Sequence, residues 1–267
     1  MNKNKLFAVF ALVILGGGIA AYFYLQDTQP VAEVVVKAPP PPAAEVPKPE
    51  VRQIIESAQV KTPLPKLAES DSFVLDALAG LVGNKSLMKL FHTERIIRNI
   101  VATIDNLPRM KLPLRLMPVE QASGKFITSG SEDSLSISPN NAARYSPYMK
   151  ISEAIDAQKL VELYVRLYPL FQQAYQELGY PNKYFNDRLI EVLDDLLDAP
   201  DIKEPVKLVQ PTVHFQFADP ELEELPIGQR ILIRIGSKNE AKIKTWLRQI
   251  KQELNLHMHE KKIESAQ

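Results

Sequence analysis

The sequence contains no cysteine among its 267 residues. This absence excludes disulfide bonds, thiolate metal sites and a cysteine nucleophile. A chain of this length can bury a core that is large enough to fold without disulfides. The lack of cysteine therefore fits either side of a membrane.

The chain also lacks an excess of charge, because 32 lysine and arginine residues balance 32 aspartate and glutamate residues. No net field favours nucleic acid as a partner. A P-loop, a dinucleotide fingerprint, a nucleophile elbow and an HExxH motif are missing as well. Ser86 and Lys89 match the SxxK pair of penicillin-interacting enzymes, but the companion SDN and KTG elements are absent. We therefore expect no cofactor and no metal, and we lean against an enzyme.

The N-terminal region has one long run without charge, from Leu6 to Leu25. As a helix it would be about 30 Å long, which matches the hydrocarbon thickness of a bilayer. Lys3 and Lys5 precede the run, so the positive-inside rule puts the N-terminus in the cytoplasm and the rest outside. The alternative is a cleaved signal peptide, with Gly18 and Ala20 as the small residues before the cleavage site. The length of the run favours an uncleaved, single-pass signal anchor that contacts membrane lipid through residues 6–25.

A proline-rich segment follows the predicted anchor. It includes the stretch APPPPAAEVPKPE from Ala38 to Glu50. Consecutive prolines favour extended polyproline II and exclude helix and sheet, so we interpret this segment as a spacer. The chain then divides into an anchor (1–25), an extracytoplasmic linker (26–65), a globular domain (66–255) and a flexible tail (256–267).

The centre of the globular part is predicted to be one helix that starts at Ser152 and ends before Gly179. Tyr164, Tyr168, Phe171 and Tyr175 recur at i, i+4, i+7 and i+11 along it, and a second apolar stripe runs beside them. Two such stripes indicate a mostly buried helix. The aromatic stripe keeps its phase across a proline at position 169, which favours one kinked helix over two.

Other segments predict the remaining elements. Apolar periodicity and capping residues indicate helices over about 70–82, 93–107, 185–199, 226–235 and 237–254. Alternating residues indicate a small β-hairpin at 125–129 and 135–138, and short strands at 206–209 and 213–217. The predicted fold class is mainly α with minor β: a single helical domain with a small hairpin and short strands, preceded by one transmembrane helix.

Four longer motifs carry a resemblance to a known family. They are IVATIDNLP (100–108), SPNNAARYSPY (138–148), YPLFQQAYQELGYPNKYFNDRLIEVLDDLL (168–197) and QFADPELEELPIGQRILIRIG (216–236). Together they resemble the bacterial family catalogued as domain of unknown function 3014 (DUF3014), over roughly Leu64 to Leu254. The resemblance implies a bacterial protein with an N-terminal membrane span and a proline-rich linker. Together with the orientation from the positive-inside rule, it predicts a protein of the bacterial inner membrane whose globular domain is periplasmic. It implies no established activity.

Polar and aromatic residues flank the central helix on both sides and form the candidate site. Those before it are Asn141, Arg144, Tyr145 and Tyr148, and those after it are Tyr184, Asp187 and Arg188. Two interpretations stay open. Arg144 and Asp187 could form a buried ion pair that fixes how the helices meet. The residues could instead line a pocket for a sugar or a peptide.

Acidic residues are dense from Glu191 to Glu224, and basic residues are dense from Arg230 to Lys262. The simpler interpretation is that these two regions pack against each other. The alternative is a periplasmic hydrolase that cleaves a glycan with acidic residues, the candidates being Asp194, Asp195, Asp219 and Glu221.

The function that we favour is a non-catalytic, membrane-tethered module of the cell envelope. It would bind another envelope protein or a cell-wall polymer. Besides the hydrolase, the alternative is a scaffold protein that forms homo-oligomers through its span. Gly16, Gly17, Ala20 and Ala21 are spaced as a helix-dimer face would require.

We expect the mature chain to retain Leu6–Leu25 and to stay in the membrane fraction after salt and alkaline washes, because a span of this length is not extracted like a peripheral protein. N-terminal sequencing and fractionation test this expectation. A mature N-terminus at Ala21 together with a soluble protein would contradict it.

Overall fold

The computed structural model describes residues 63–203 and 205–264. The described part is mainly helical, with two small antiparallel strand pairs. Its helices are α1 (Asp71–Val82), α2 (Lys85–Met88), α3 (Ile96–Asn106), α4 (Ser146–Ala154), α5 (Ala157–Glu177), α6 (Phe185–Leu197), α7 (Pro220–Glu223), α8 (Ile227–Arg234) and α9 (Ser237–Glu264). Its strands are β1 (Thr128–Ser129), β2 (Ser136–Ile137), β3 (Leu208–Val209) and β4 (Gln216–Phe217). Short 3-10 helices lie at Leu67–Glu69, Leu114–Leu116, Glu132–Ser134 and Pro139–Tyr145.

The predicted anchor and nearly all of the predicted linker, up to residue 62, lie outside the described residues. Within residues 63–203 and 205–264, no helix has both the length and the apolar character that a membrane span requires.

Helix α5 is the buried central helix that the aromatic stripe predicts. Tyr164, Tyr168, Phe171 and Tyr175 are all at most 6% exposed. Phe185 at the start of α6 packs onto them, with ring centroids 5.8 Å from Phe171 and 5.4 Å from Tyr175. Because α5 also packs against α3 and α9, the stripe forms the middle of the largest apolar core.

The start of the central helix differs from the prediction. Ser152 belongs to α4, and the helix is interrupted at Ile155, whose backbone is extended. The Asp156 carboxylate then caps α5 by accepting a hydrogen bond from the Lys159 amide at 3.0 Å. This cap begins a new helix in a sequence whose apolar pattern alone does not show a break. Pro169 lies inside α5, which confirms that the helix continues across it.

The strands form a small β layer at one end of the helical core. β1 pairs with β2 and β3 pairs with β4, and an isolated bridge between Ser136 and Lys207 joins the two pairs. The predicted hairpin and strands are therefore confirmed, although each strand is only two residues long. Beneath them lies a second, smaller apolar cluster that includes Phe217 and Ile233. This cluster attaches the β layer to α8.

Helix α8 is buried along its whole length. It confirms the helix that Pro226 and Gly236 predict for the ILIRI run, whose residues alone favour a strand. Gly228 allows it to approach α3 closely. A Cβ atom at Gly228 would lie 2.6 Å from Leu196 Cδ2 and 3.2 Å from the Leu107 carbonyl oxygen. The Gly228 and Ile227 amides donate to the carbonyls of Leu107 and Arg109, respectively. Only glycine fits at this contact without displacing a neighbour.

Helix α9 is longer than predicted. The sequence predicts a flexible tail from residue 256. The helix nevertheless continues to Glu264. No glycine or proline lies between Ser237 and Glu264, and most of the last residues are good helix formers. The helix propensity of these residues therefore accounts for the extension of α9 beyond its predicted end.

We expect Phe171→Ala and Tyr168→Ala each to lower the free energy of unfolding by about 3–5 kcal/mol, the usual cost of deleting a buried aromatic side chain. Urea denaturation followed by circular dichroism measures this. Leu178→Ala is the control, because Leu178 is 40% exposed at the end of α5. Its cost should stay below about 1 kcal/mol. Similar losses for buried and exposed positions would contradict a central role for α5.

Candidate functional site

The residues of the candidate site divide between two regions. Asn141, Arg144 and Tyr145 lie on the 3-10 helix Pro139–Tyr145, and Tyr148 follows in α4. Tyr184 is the residue before α6, and Asp187 and Arg188 lie in its first turn.

Arg144 is bound by backbone carbonyls. Its guanidinium donates to the carbonyl oxygens of Gly124 at 2.8 Å and of Ala122 and Ser123 at 3.2 Å. It also donates to Asn141 Oδ1 at 3.1 Å. All four acceptors lie between residues 122 and 141, so the polar contacts of Arg144 are not with Asp187. Arg144 therefore does not form the predicted ion pair with Asp187. Its guanidinium binds a loop instead, because its five N–H groups can donate to several carbonyls at once.

Asn141 joins this loop to α8. The residue is fully buried. Its Oδ1 accepts a hydrogen bond from the Ile127 amide, and its Nδ2 donates to the Arg234 carbonyl, both at 3.1 Å. Each side of the amide thus satisfies a buried backbone group, as buried polar groups normally require. This is a structural role.

The two tyrosines of this region are also largely withdrawn from solvent. Burial raises the pKa of Tyr148 to about 12, and its hydroxyl donates to the Glu120 carbonyl at 2.8 Å. Burial likewise raises the pKa of Tyr145, whose ring lies under the Arg144 guanidinium at 5.6 Å. Both hydroxyls therefore stay protonated at neutral pH. Tyr148 and Arg144 together fix the backbone from Glu120 to Gly124.

Arg188 takes part in an ion pair that the sequence did not predict. Its Nε donates to Asp105 Oδ1 at 3.0 Å, and its Nη2 donates to the Asp105 carbonyl at 2.7 Å. Asp105 Oδ2 also accepts from Arg109 at 2.6 Å and from the Tyr180 hydroxyl at 3.2 Å. The Asp105 side chain is only 4% exposed. We call these four residues the Asp105 cluster.

A signal for the Asp105 cluster is present in the sequence. Asp105 continues the apolar stripe of Ile97 and Val101 at intervals of four residues. A carboxylate on a buried helix face requires a cationic partner. Sequence alone does not show which arginine supplies it, because Arg188 is 83 residues away.

Asp187 and Tyr184 lie beside the aromatic core instead. Burial is the main cause that raises the pKa of both Tyr164 and Tyr168. The second cause is Asp187 for Tyr168, whereas for Tyr164 it is Tyr168, followed by Asp187. The Tyr164 hydroxyl donates to the neighbouring Asn186 side chain. The Tyr184 carbonyl accepts from the Arg188 amide at 3.4 Å in the first turn of α6.

The acidic and basic regions of the C-terminal half contact each other. Lys251 pairs with Asp194, Lys244 with Asp201, and Arg230 with Glu223. The Asp195 carboxylate accepts from Gln229, and the Asp219 carboxylate caps α7. These contacts agree with the simpler interpretation of the charge pattern. Among the described residues, no group of three or more His, Asp or Glu side chains is arranged to hold a metal ion.

An open groove of about 660 Å³ borders the loop that Arg144 holds, because Gln121, the residue before this loop, is among its lining residues. One wall includes His92, Glu94 and Asn99, and the other includes Arg115, Glu120 and Gln121. We call it the 92–121 groove. Two backbone hydrogen bonds join its walls, from the His92 amide to the Pro118 carbonyl and from the Glu120 amide to the Leu90 carbonyl.

The groove presents charges of both signs together with apolar surface. His92 Nδ1 lies 3.7 Å from Glu120 Oε1, and Leu114 and Met117 contribute apolar atoms. None of the described residues that line it is Phe, Tyr or Trp. No sequence signal predicts this groove, because its residues are scattered over 30 positions and form no motif.

We expect Arg188→Ala to lower the free energy of unfolding by about 3 kcal/mol, because it removes one partner of a buried ion pair. Arg188→Lys should recover only part of this, since an ammonium cannot contact the Asp105 carboxylate and carbonyl together. Urea denaturation gives both values.

The control is Arg98→Ala. Arg98 pairs with Glu177 at 2.8 Å, but both side chains are more than one third exposed. Such a pair contributes less than about 1 kcal/mol. If the Arg98 and Arg188 variants lost equal stability, the Asp105 cluster would not be a buried stabilising contact.

Comparison with known proteins places the chain in a family. The model of DUF3014, described as a protein of unknown function, matches residues 96–251, more than half of the chain. No curated protein and no solved structure matches the chain significantly. The match covers α3 to α9 up to residue 251 and confirms the resemblance that the four motifs carry. The chain therefore belongs to the DUF3014 family.

Proposed function

We propose that this protein is a non-catalytic binding module of the bacterial cell envelope. In this proposal the 92–121 groove takes an extended polar chain, either a segment of another envelope protein or a cell-wall polymer. The observation that carries the proposal is the groove itself, whose volume of about 660 Å³ lies within the usual range for ligand sites.

The fixed walls of the groove support binding. Three carbonyls of the loop after Gln121 are held by Arg144, and the Glu120 carbonyl is held by Tyr148. A wall that is ordered before the ligand arrives loses little conformational entropy on binding. The opposite charges of Glu94 and Arg115, together with the Glu120 carboxylate and the His92 imidazole, suit a ligand with both donors and acceptors.

The positions of the acidic residues favour binding over glycan cleavage. A glycosidase needs two carboxyl groups that face one substrate. Asp194 contacts Lys251, Asp195 accepts a hydrogen bond from Gln229, and Asp219 caps a helix. These contacts give each of the three carboxylates a role within the fold.

We also propose that the module is tethered to the outer face of the inner membrane, with its N-terminus in the cytoplasm. The uncharged run Leu6–Leu25, the preceding Lys3 and Lys5, and the proline-rich linker support this arrangement. A linker of this length would let the groove reach partners well away from the membrane surface.

Photo-crosslinking in living cells tests the groove. A photoreactive amino acid replaces Gln121 in the groove or, as a matched control, Gln176 on the exposed face of α5. We expect a discrete adduct from position 121 and none from position 176, and mass spectrometry would identify it. The Glu120→Lys variant should weaken the adduct, because it reverses a charge of the groove wall.

A second experiment tests whether the partner is a cell-wall polymer. Purified cell-wall sacculi are sedimented with the full-length protein in detergent, with and without Glu120→Lys. Loss of co-sedimentation in the variant would support a cell-wall ligand. If position 121 gave no adduct beyond that of position 176, and sacculi retained neither protein, the groove would not be a binding site.

A further inference from the structure

The segment that forms one groove wall, from His92 to Asn99, contains a residue with unusual backbone geometry. Arg95 has φ 54° and ψ 34° and is the one residue other than glycine with a positive φ in the described part of the chain. Left-handed conformations are strained for residues with a Cβ atom, so the surrounding structure has to hold them in place. The Arg95 side chain is exposed, and its backbone is the part that the fold engages.

The carboxylate of Asp71 holds this conformation. Its Oδ2 accepts from the Arg95 amide at 2.7 Å, and its Oδ1 accepts from the Ile96 amide at 2.9 Å. Helix α3 has no side-chain cap from its own N-terminal residue. A carboxylate from α1, 24 residues earlier, therefore supplies the cap and satisfies two otherwise free amides.

Helix α1 is itself held in position by packing. Val74 and Leu78 are at most 1% exposed and belong to the large core, and α1 contacts α3 and α4. Asp71 is the first residue of α1, so the carboxylate stays in place as long as the start of this helix is docked. Both Asp71 and Arg95 precede residue 96, where the family match begins.

The strained residue is connected to the groove on both sides. His92 and Glu94 of the groove wall lie directly before it. After it, the Asn99 amide donates to the Arg95 carbonyl at 2.8 Å, and Asn99 Nδ2 donates to the Glu94 carbonyl at 3.2 Å. A rotation of the Arg95 backbone into a relaxed conformation would therefore displace this wall.

We propose that Asp71 is a positioning residue that keeps Arg95 in its left-handed conformation and thereby sets the distance from Glu94 to the opposite wall of the 92–121 groove at Gln121. This inference rests on the proposed function, because it concerns the regulation of the same groove. The backbone hydrogen bonds of His92 and Glu120 hold the walls together at one end. The first turn of α1 controls the other end: Glu94 keeps its distance from Gln121 while Asp71 is docked and moves away when it is withdrawn. A partner that displaces the start of α1 would therefore move this wall of the groove from a separate site.

The experiment uses the absence of cysteine. Spin labels are attached to the full-length protein at Glu94→Cys and Gln121→Cys, one on each wall, and pulsed electron paramagnetic resonance gives their distance distribution. Asp71→Ala should broaden this distribution by about twofold, because the strained conformation is no longer held. Asp71→Asn keeps one good acceptor and should give an intermediate width. Asp76→Ala, an exposed acidic residue of the same helix, is the matched control and should leave the width unchanged.

A compensating variant tests the role of Arg95. Glycine adopts positive φ without strain, so Arg95→Gly added to Asp71→Ala should narrow the distribution again. The inference is overturned if Asp71→Ala leaves the distribution unchanged, if Asp76→Ala broadens it equally, or if glycine at position 95 fails to restore it. No ligand is needed for this measurement. Failure of the proposed function would instead appear as the absence of adducts in the crosslinking experiment, with the distances unaffected.

Discussion

The fold depends on how the carbonyl groups at the end of α3 and in the segment just after it are satisfied. The last carbonyls of a helix lack partners within the helix, and here other elements supply donors to this region. Arg188 from α6 donates to the Asp105 carbonyl, the Gly228 and Ile227 amides of α8 donate to Leu107 and Arg109, and Arg230 donates to Met110. The Asp105 carboxylate binds Arg188 as well. Because α6 and α8 both bind to this one end, their positions relative to α3 are fixed together.

This junction draws its residues from three of the four sequence motifs. IVATIDNLP contains the end of α3, YPLFQQAYQELGYPNKYFNDRLIEVLDDLL contains Arg188 and Tyr180, and QFADPELEELPIGQRILIRIG contains Gly228. The fourth motif, SPNNAARYSPY, joins the same assembly because Asn141 donates to the Arg234 carbonyl of α8. Polar residues in these motifs thus have structural reasons for their identity. A family motif rich in Asp, Arg and Asn is therefore not by itself an indication of catalysis.

How far the sequence could predict the structure depends on the kind of contact. The stripe from Tyr164 to Tyr175 predicts a buried helix because periodicity follows directly from helix geometry. The partners of Arg144 could not be predicted in the same way, since they are backbone carbonyls, which every residue carries. The predicted start of α5 at Ser152 is wrong, because Asp156 is one of many acidic residues and only its local backbone makes it a cap. The groove could not be predicted, because the residues of its two walls, around His92 and Glu120, share no sequence pattern.

The same kind of contact builds the groove and the core. Arg144 and Tyr148 hold one wall through its carbonyls, and Asp71 holds the other through two amides. In each case a side chain satisfies backbone groups of a loop, which would otherwise be free to move. Arginine and aspartate side chains that already bind backbone have little capacity left for a substrate, but they make the loops rigid. A surface that is fixed in this way suits recognition, because it is already shaped before a ligand binds.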